Sequence, residues 1–222
     1  SYSGQIARQL LHNSLKKAIG AGASLDTTMG YFNGFDGALP LLDPKSSDKF
    51  PVDITDINAL KKTNLSGKAY KGTISGWPGA MSGKEVLISM IEHASKADKG
   101  FDATHGYDYI QLVSKFTMGG VFYTQACDNY LDEKLSAKNK PNNKPYKDGA
   151  YYTGKEHSWD EAFGYWGAAA HGVKLSAAQN YNIAKKKDSV AADANSDGLV
   201  NLASEMNFAH AYYAVSYTHL TL

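Results

Sequence analysis

From about Tyr107 to Leu135, the residues Tyr109, Leu112, Val113, Phe116, Met118, Val121, Phe122, Ala126 and Tyr130 recur at helical spacing and leave a broad apolar surface. A surface that wide has to be covered on several sides, so the pattern predicts a long central helix with the rest of the chain packed around it. Inside it, Met118-Gly119-Gly120 costs helix stability, and the expected compensation is the close approach of another backbone or a ligand, packing being the commoner cause. Period-two alternation is nearly absent elsewhere. The class is therefore all-α, an irregular helical bundle with long loops.

The other elements follow from caps and breakers. Ile6, Leu10, Leu11, Leu15, Ala18 and Ile19 mark an amphipathic first helix that Gly20 and Gly22 stop. Ser24 caps a short helix through Phe32, after which Gly34, Gly37, Pro40 and Pro44 open an irregular excursion over 34–82. A helical turn is expected within it at Asp53 to Lys62, and its Gly72 to Gly83 stretch, with Trp77-Pro78-Gly79, is expected to wrap the core, with lining a site as the alternative. Ser82 with Glu85 reads as a capping box for the next helix. Beyond a polar connection at 136–150, helices are predicted at about Glu156 to Ala169, at Ala177 to Lys187, and from about Leu202 onward.

With 222 residues, 43% hydrophobic and 20% charged, the chain can bury a core, and one domain over 1–215 is expected. A formal charge of +1 supplies no basic surface for a phosphate backbone, which argues against a nucleic-acid partner. No run approaches the roughly 18 apolar residues of a membrane span. The lone Cys127 lies in an apolar helical pattern and reads as a small core residue. The chain opens without methionine or a signal-like segment, so it is expected to be part of a larger protein whose targeting segment or lipid anchor lies upstream. Residues 216–222 look like translated adapter sequence, and His219 is set aside.

Asp193-Ala194-Asn195-Ser196-Asp197-Gly198-Leu199-Val200-Asn201 matches the opening of an EF-hand-like calcium loop. A hard cation wants six to eight oxygens. Alternate side chains of Asp193, Asn195 and Asp197 supply three, the Leu199 carbonyl another, and Gly198 permits the sharp turn. The closing acid, usually found at the position of Ser204, is expected from Glu205. A solitary loop suits structural calcium in a compartment rich in that ion, which places the protein outside the cytoplasm, in the periplasm or on the cell surface.

The segment from Glu156 to Trp166 is dense in polar and aromatic residues, and on a helix His157 shares a face with Asp160 and Glu161. Those three could hold iron or another transition metal, or form a self-satisfied polar network. His93, His105, His171 and His210 are the available partners, His210 on the same predicted helix as Glu205. There is no nucleophile elbow, phosphate loop, zincin motif or Cys-x-x-Cys.

Taken together, Ser3-Gly4-Gln5 with Arg8, Leu10 and Leu11, the helix Gly106 to Tyr130, the His157-x-Trp159-Asp160-Glu161-Ala162-Phe163-Gly164-Tyr165 block and Asp193 to Asn207-Phe208 resemble bacterial domain-of-unknown-function family four-eight-five-six. The resemblance implies a secreted or lipoprotein-type component and carries no activity. A remoter likeness is to imelysin-like helical proteins, which would imply iron handling or a peptidase-like role. Here Gly154 stands one residue too far from His157, and Asp160 replaces the glutamate of their signature. The expected function is a non-enzymatic, calcium-stabilised cell-envelope module meeting metal ions and other envelope proteins; the alternative is a metal-dependent enzyme using His157, Asp160 and Glu161.

Overall fold

The computed structural model describes residues 2–218. Its organising element is the first helix, α1 (Ser3–Gly20), which packs against four other helices. The aliphatic residues predicted for its buried face are buried, and so are Gln5, Gln9, His12 and Ser14 on its other sides. A helix enclosed on several faces must satisfy its polar side chains internally. Gln9 Nε2 donates to the Tyr165 carbonyl at 2.9 Å, His12 Nε2 bonds the Ser114 carbonyl at 3.1 Å, and Ser14 Oγ accepts from Leu42 N at 3.1 Å. At its end Gly22 adopts a left-handed φ of 71° and Ala23 N–H turns back to the Ala18 carbonyl.

Helix α2 (Leu25–Asn33) starts at Ser24, whose side chain accepts from Thr27 N as expected. The excursion over 34–82 wraps the core rather than standing off from it. Leu39, Leu41, Phe50, Val52, Leu65 and Ala69 are buried, and α3 (Ile57–Leu60) is the expected helical turn, capped by Asp56. Ile74, Trp77 and Met81 pack on the core as partly buried residues. Helix α4 (Gly83–Ala94) carries the reciprocal Ser82–Glu85 capping box.

An all-α class needs one correction. Phe101–Asp102 (β1) and Tyr107–Asp108 (β2) pair as a small antiparallel hairpin, so Tyr107 lies in a strand and α5 (Tyr109–Thr117) begins after it, capped by Asp108. Two residues per strand are too few to leave an alternation visible in sequence.

From Met118 to Lys134 the helix continues in π-helical form. Its buried line is Met118, Phe122, Ala126 and Tyr130, with Val121 beside it. Residues four apart drift about 40° per step around an α-helix, whereas the wider turn of a π-helix keeps them nearly in line. The segment is thus covered along a stripe, not all round: Tyr123 and Leu131 are exposed, and the enclosed centre expected here belongs to α1. Gly120 is explained by close backbone approach, since its carbonyl accepts Tyr70 N–H at 2.7 Å; Gly119 has open space around it.

Helix α6 (Gly154–Trp166) opens with a Thr153–Glu156 capping box, ends at Gly167 with φ 85°, and packs on the π-helical segment and on α1. Gly164 makes that contact possible: a Cβ there would stand 2.7 Å from the Cβ atoms of both Tyr2 and Gln5. Helices α7 (Ala177–Ala184), α8 (Ser189–Ala192) and α9 (Ala209–Thr218) complete the chain. The last starts later than Leu202 because the intervening residues pair with the segment after α6. Ser204 O takes Ala170 N–H at 2.7 Å, Asn207 Oδ1 takes Ala169 N–H at 2.9 Å, and Phe208 N–H reaches the Gly167 carbonyl at 2.7 Å. Among the described residues no helix is long and apolar enough to cross a membrane. Cys127 is partly buried against the core, and 219–222, most of the tail set aside above, lie outside the described residues.

Burial foremost, with the positive charges of Lys16 and Lys115 beside it, lowers the His12 pKa from 6.5 to about 4. The unfolded chain therefore takes up a proton that the folded chain refuses, so stability is full above pH 6.5 and falls as the pH drops from there toward 4. Urea unfolding between pH 7 and 4 should show a loss on the order of 3 kcal/mol that His12→Gln flattens.

Candidate functional site

The loop expected to bind calcium is built by short-range bonds that curl the backbone around its acidic side chains. Asp193 Oδ1 and Oδ2 accept Asp197 N–H at 3.2 Å and Gly198 N–H at 2.8 Å. Asn195 Oδ1 accepts Asp197 N–H at 3.1 Å, and Asp197 Oδ1 accepts Leu199 N–H at 2.9 Å. Gly198 has the left-handed φ, 86°, that the sharp turn requires. Val200 is fully buried and bridges Val52, with its N–H on the Pro51 carbonyl at 2.8 Å. The exposed Leu199 side chain leaves only its carbonyl for the role assigned to it.

Glu205 sits behind this loop, 4% exposed, and clamps both shoulders: Oε1 accepts Ala194 N–H at 3.0 Å and Oε2 accepts Asn201 N–H at 2.8 Å. Helix-loop-helix geometry is absent, however. The entering helix α8 is one turn long, and the residues after the loop form turns, so Glu205 and His210 do not share a helix. His210 instead bonds the Met118 carbonyl at 3.2 Å and stacks on Trp166.

At the second predicted cluster, His157 Nε2 lies 3.8 Å from Glu161 Oε2. The imidazole is flanked by Tyr146 and Tyr152, at 4.4 and 5.5 Å between ring centroids, and its Nδ1 is buried without a hydrogen-bond partner. Asp160 belongs to a different neighbourhood, where its charge adds to burial in raising the Tyr2 phenol. His93, His105 and His171 are engaged elsewhere, with Ser89 O, Asp102 and Ala191 O. Among the described residues no three His, Cys, Asp or Glu side chains gather as a metal-binding group. In the calcium loop two of the expected ligands are an amide and a main-chain carbonyl.

What the structure adds is the company Glu161 keeps. Gln5 Nε2 donates to it at 3.2 Å, and the Tyr130 hydroxyl hydrogen-bonds to it. Lys68 from the Ser66–Lys68 turn and Lys134 from the π-helical segment lie within its electrostatic reach, and Arg8 is close to Lys68. Burial foremost, then the Glu161 charge, raises the Tyr130 phenol far above its ordinary value. Sequence periodicity has no means of finding this cluster, because its members come from four separated segments.

A family model described as Domain of unknown function (DUF4856) matches residues 52–209. The chain belongs to this family. The DUF4856 match begins where Val52 meets Val200 and takes in both the calcium-type loop and α6, but not α1, so the family resemblance of the Ser3-to-Leu11 opening lies outside it. The imelysin-like resemblance is not among the matches. No curated protein and no solved structure matches the chain.

Removing the buried Glu205 carboxylate strands two backbone N–H groups at the part-buried shoulders of the loop. Glu205→Ala should cost about 2–4 kcal/mol in urea denaturation with chelator present, and Glu205→Gln, which keeps one acceptor, should cost less.

Proposed function

We propose that this member of DUF4856 is a non-enzymatic helical module of the cell envelope whose 193–205 loop is stabilised by calcium. The observation carrying the reading is electrostatic. Asp193 and Asp197 share one turn with Glu205 behind it, three acids that do not gather into a ready-made metal group, and among the described residues none is ion-paired with a lysine, arginine or histidine. The side-chain oxygens of Asp193, Asn195, Asp197 and Glu205 each accept one N–H and keep a further lone pair for a cation. Asp193, Asn195, Asp197, the Leu199 carbonyl and Glu205 would hold it, and the ion would relieve the mutual repulsion of the acids. The extracytoplasmic placement rests on calcium supply: a solitary loop that holds calcium for structure suits a compartment rich in that ion.

The neighbourhood of Glu161 weighs against the second metal considered for His157, Asp160 and Glu161, and against a metal-dependent enzyme built on them. Lys68, Lys134 and Arg8 set positive charge around the one acid that contacts His157, and a cation placed there would be repelled.

Thermal unfolding in chelator, in millimolar calcium and in millimolar magnesium tests the reading. Calcium at a hundred times its dissociation constant should add roughly 2.7 kcal/mol, and Asp197→Ala should abolish the gain. An equal response to magnesium, or a gain surviving in Asp197→Ala, would sink it.

A further inference from the structure

We propose that the face shared by α1, the Ser66–Lys68 turn, the π-helical segment and α6 is a binding site for a phosphate group, held by Lys68, Lys134 and Arg8 and completed by the Tyr165 hydroxyl.

The geometry places these groups together. Lys134 Nζ lies 3.8 Å from the Tyr130 ring centroid, the Arg8 guanidinium is 6.0 Å from the Tyr165 centroid, and the two tyrosine rings are 5.9 Å apart. Two of the contributing segments are tied down beside the cations. Gln125 Nε2 ties down the Lys68 carbonyl at 3.1 Å, and Arg8 spends Nε and Nη1 on the Asn64 and Gly4 carbonyls at 2.9 and 3.1 Å. Tyr165 is fully buried, and its hydroxyl, beside Arg8, has no hydrogen bond of normal geometry to any partner. A buried hydroxyl left in that state costs stability, and a ligand oxygen would relieve it.

The charges do not cancel internally. Lys68 faces Arg8, Lys71 and Glu161, while Lys134 faces Glu161, Lys68, Lys140 and Glu133, so five cations meet two acids. Among the described residues no carboxylate comes within ion-pair distance of Arg8, Lys68 or Lys134. Burial first lowers the pKa of both lysines; the Arg8 charge adds to it at Lys68, while at Lys134 the Glu161 charge opposes it and the Lys68 and Lys140 charges add to it, so the fold holds both ammonium groups against their own solvation. A structural ion-pair network would have the opposite balance.

The ligand chemistry follows from the donors. Arg8 has committed Nε and one Nη1 hydrogen to carbonyls, so the side of its fork that carries Nε is closed to a planar carboxylate and Nη2 is left for a ligand. Two lysines act as point charges and a phenol adds one directional donor, a set suited to a tetrahedral oxyanion with several charged oxygens. Tyr130 and Lys134 both come from the π-helical segment, and such widened turns recur at functional sites.

The full chain, kept in chelator so that the calcium loop is silent, is titrated with inorganic phosphate, and with acetate and chloride at matched ionic strength. Phosphate at about ten times its dissociation constant should raise the melting midpoint by about 3 °C over chloride. Lys68→Met and Lys134→Met should each weaken phosphate binding about tenfold in a phosphorus NMR titration, while without phosphate they melt no lower than the parent. Tyr165→Phe, which keeps the ring and removes the unsatisfied hydroxyl, should bind phosphate more weakly while melting no lower than the parent without it, and Asp197→Ala should bind phosphate normally. A phosphate response no larger than that of chloride or acetate overturns the proposal, as does one that survives in both lysine variants. Lysine variants that melt well below the parent without phosphate would make the cluster a structural network and overturn it as well.

Discussion

The hydrogen bonds made by the buried polar side chains of α1 are the constraint on which the rest of the structure depends. Gln5, Gln9, His12 and Ser14 each leave the helix to bond a different partner: Glu161, the Gly164 and Tyr165 carbonyls, Ser114, and Leu42 N–H. A buried polar group without its partner costs about 1–3 kcal/mol, so a shift of α6, α5 or the excursion relative to α1 would break at least one such bond. Aliphatic packing alone would allow those elements to slide; the polar pins set their register.

The second determinant is the fit of α6 between α1 and the π-helical segment. Gly164 admits α1 to within contact of the α6 backbone, and the Met118–Tyr130 line meets Tyr165 through Phe122 and Tyr130, at 6.1 and 5.9 Å between centroids. That junction carries Glu161 and Tyr165 into the same space as Tyr130 and Lys134. The cluster around Glu161 is therefore a product of helix packing, with Lys68 added by the turn at Ser66–Lys68.

Two regions of opposite charge result. The 193–205 turn gathers acids around its own N–H groups, with Val200 anchoring it to the 51–53 segment and Asp53 Oδ1 taking Leu202 N–H at 3.0 Å. The face at Glu161 gathers lysines and an arginine. Neither charge excess is visible in a formal net charge of +1, because the two nearly offset one another in the sum.

Local chemistry was legible in the sequence by itself. The capping residues Ser24 and Ser82, the glycine stop after α1, the wrapping excursion, the turn of the 193–198 loop and the helix bearing His157 all depend on neighbours within a few positions, and such neighbours are present in any fold. The hairpin at 101–108 escaped because its strands are too short to show a period, and the late start of α9 because residues 204–208 are held by partners at 167–170. Only the tertiary structure set Asp160 beside Tyr2, moved the enclosed centre from the 107–135 helix to α1, and set Arg8, Lys68 and Lys134 around Glu161. Those outcomes rest on contacts between residues far apart in the chain, where packing and desolvation, which no local pattern encodes, decide which charges meet.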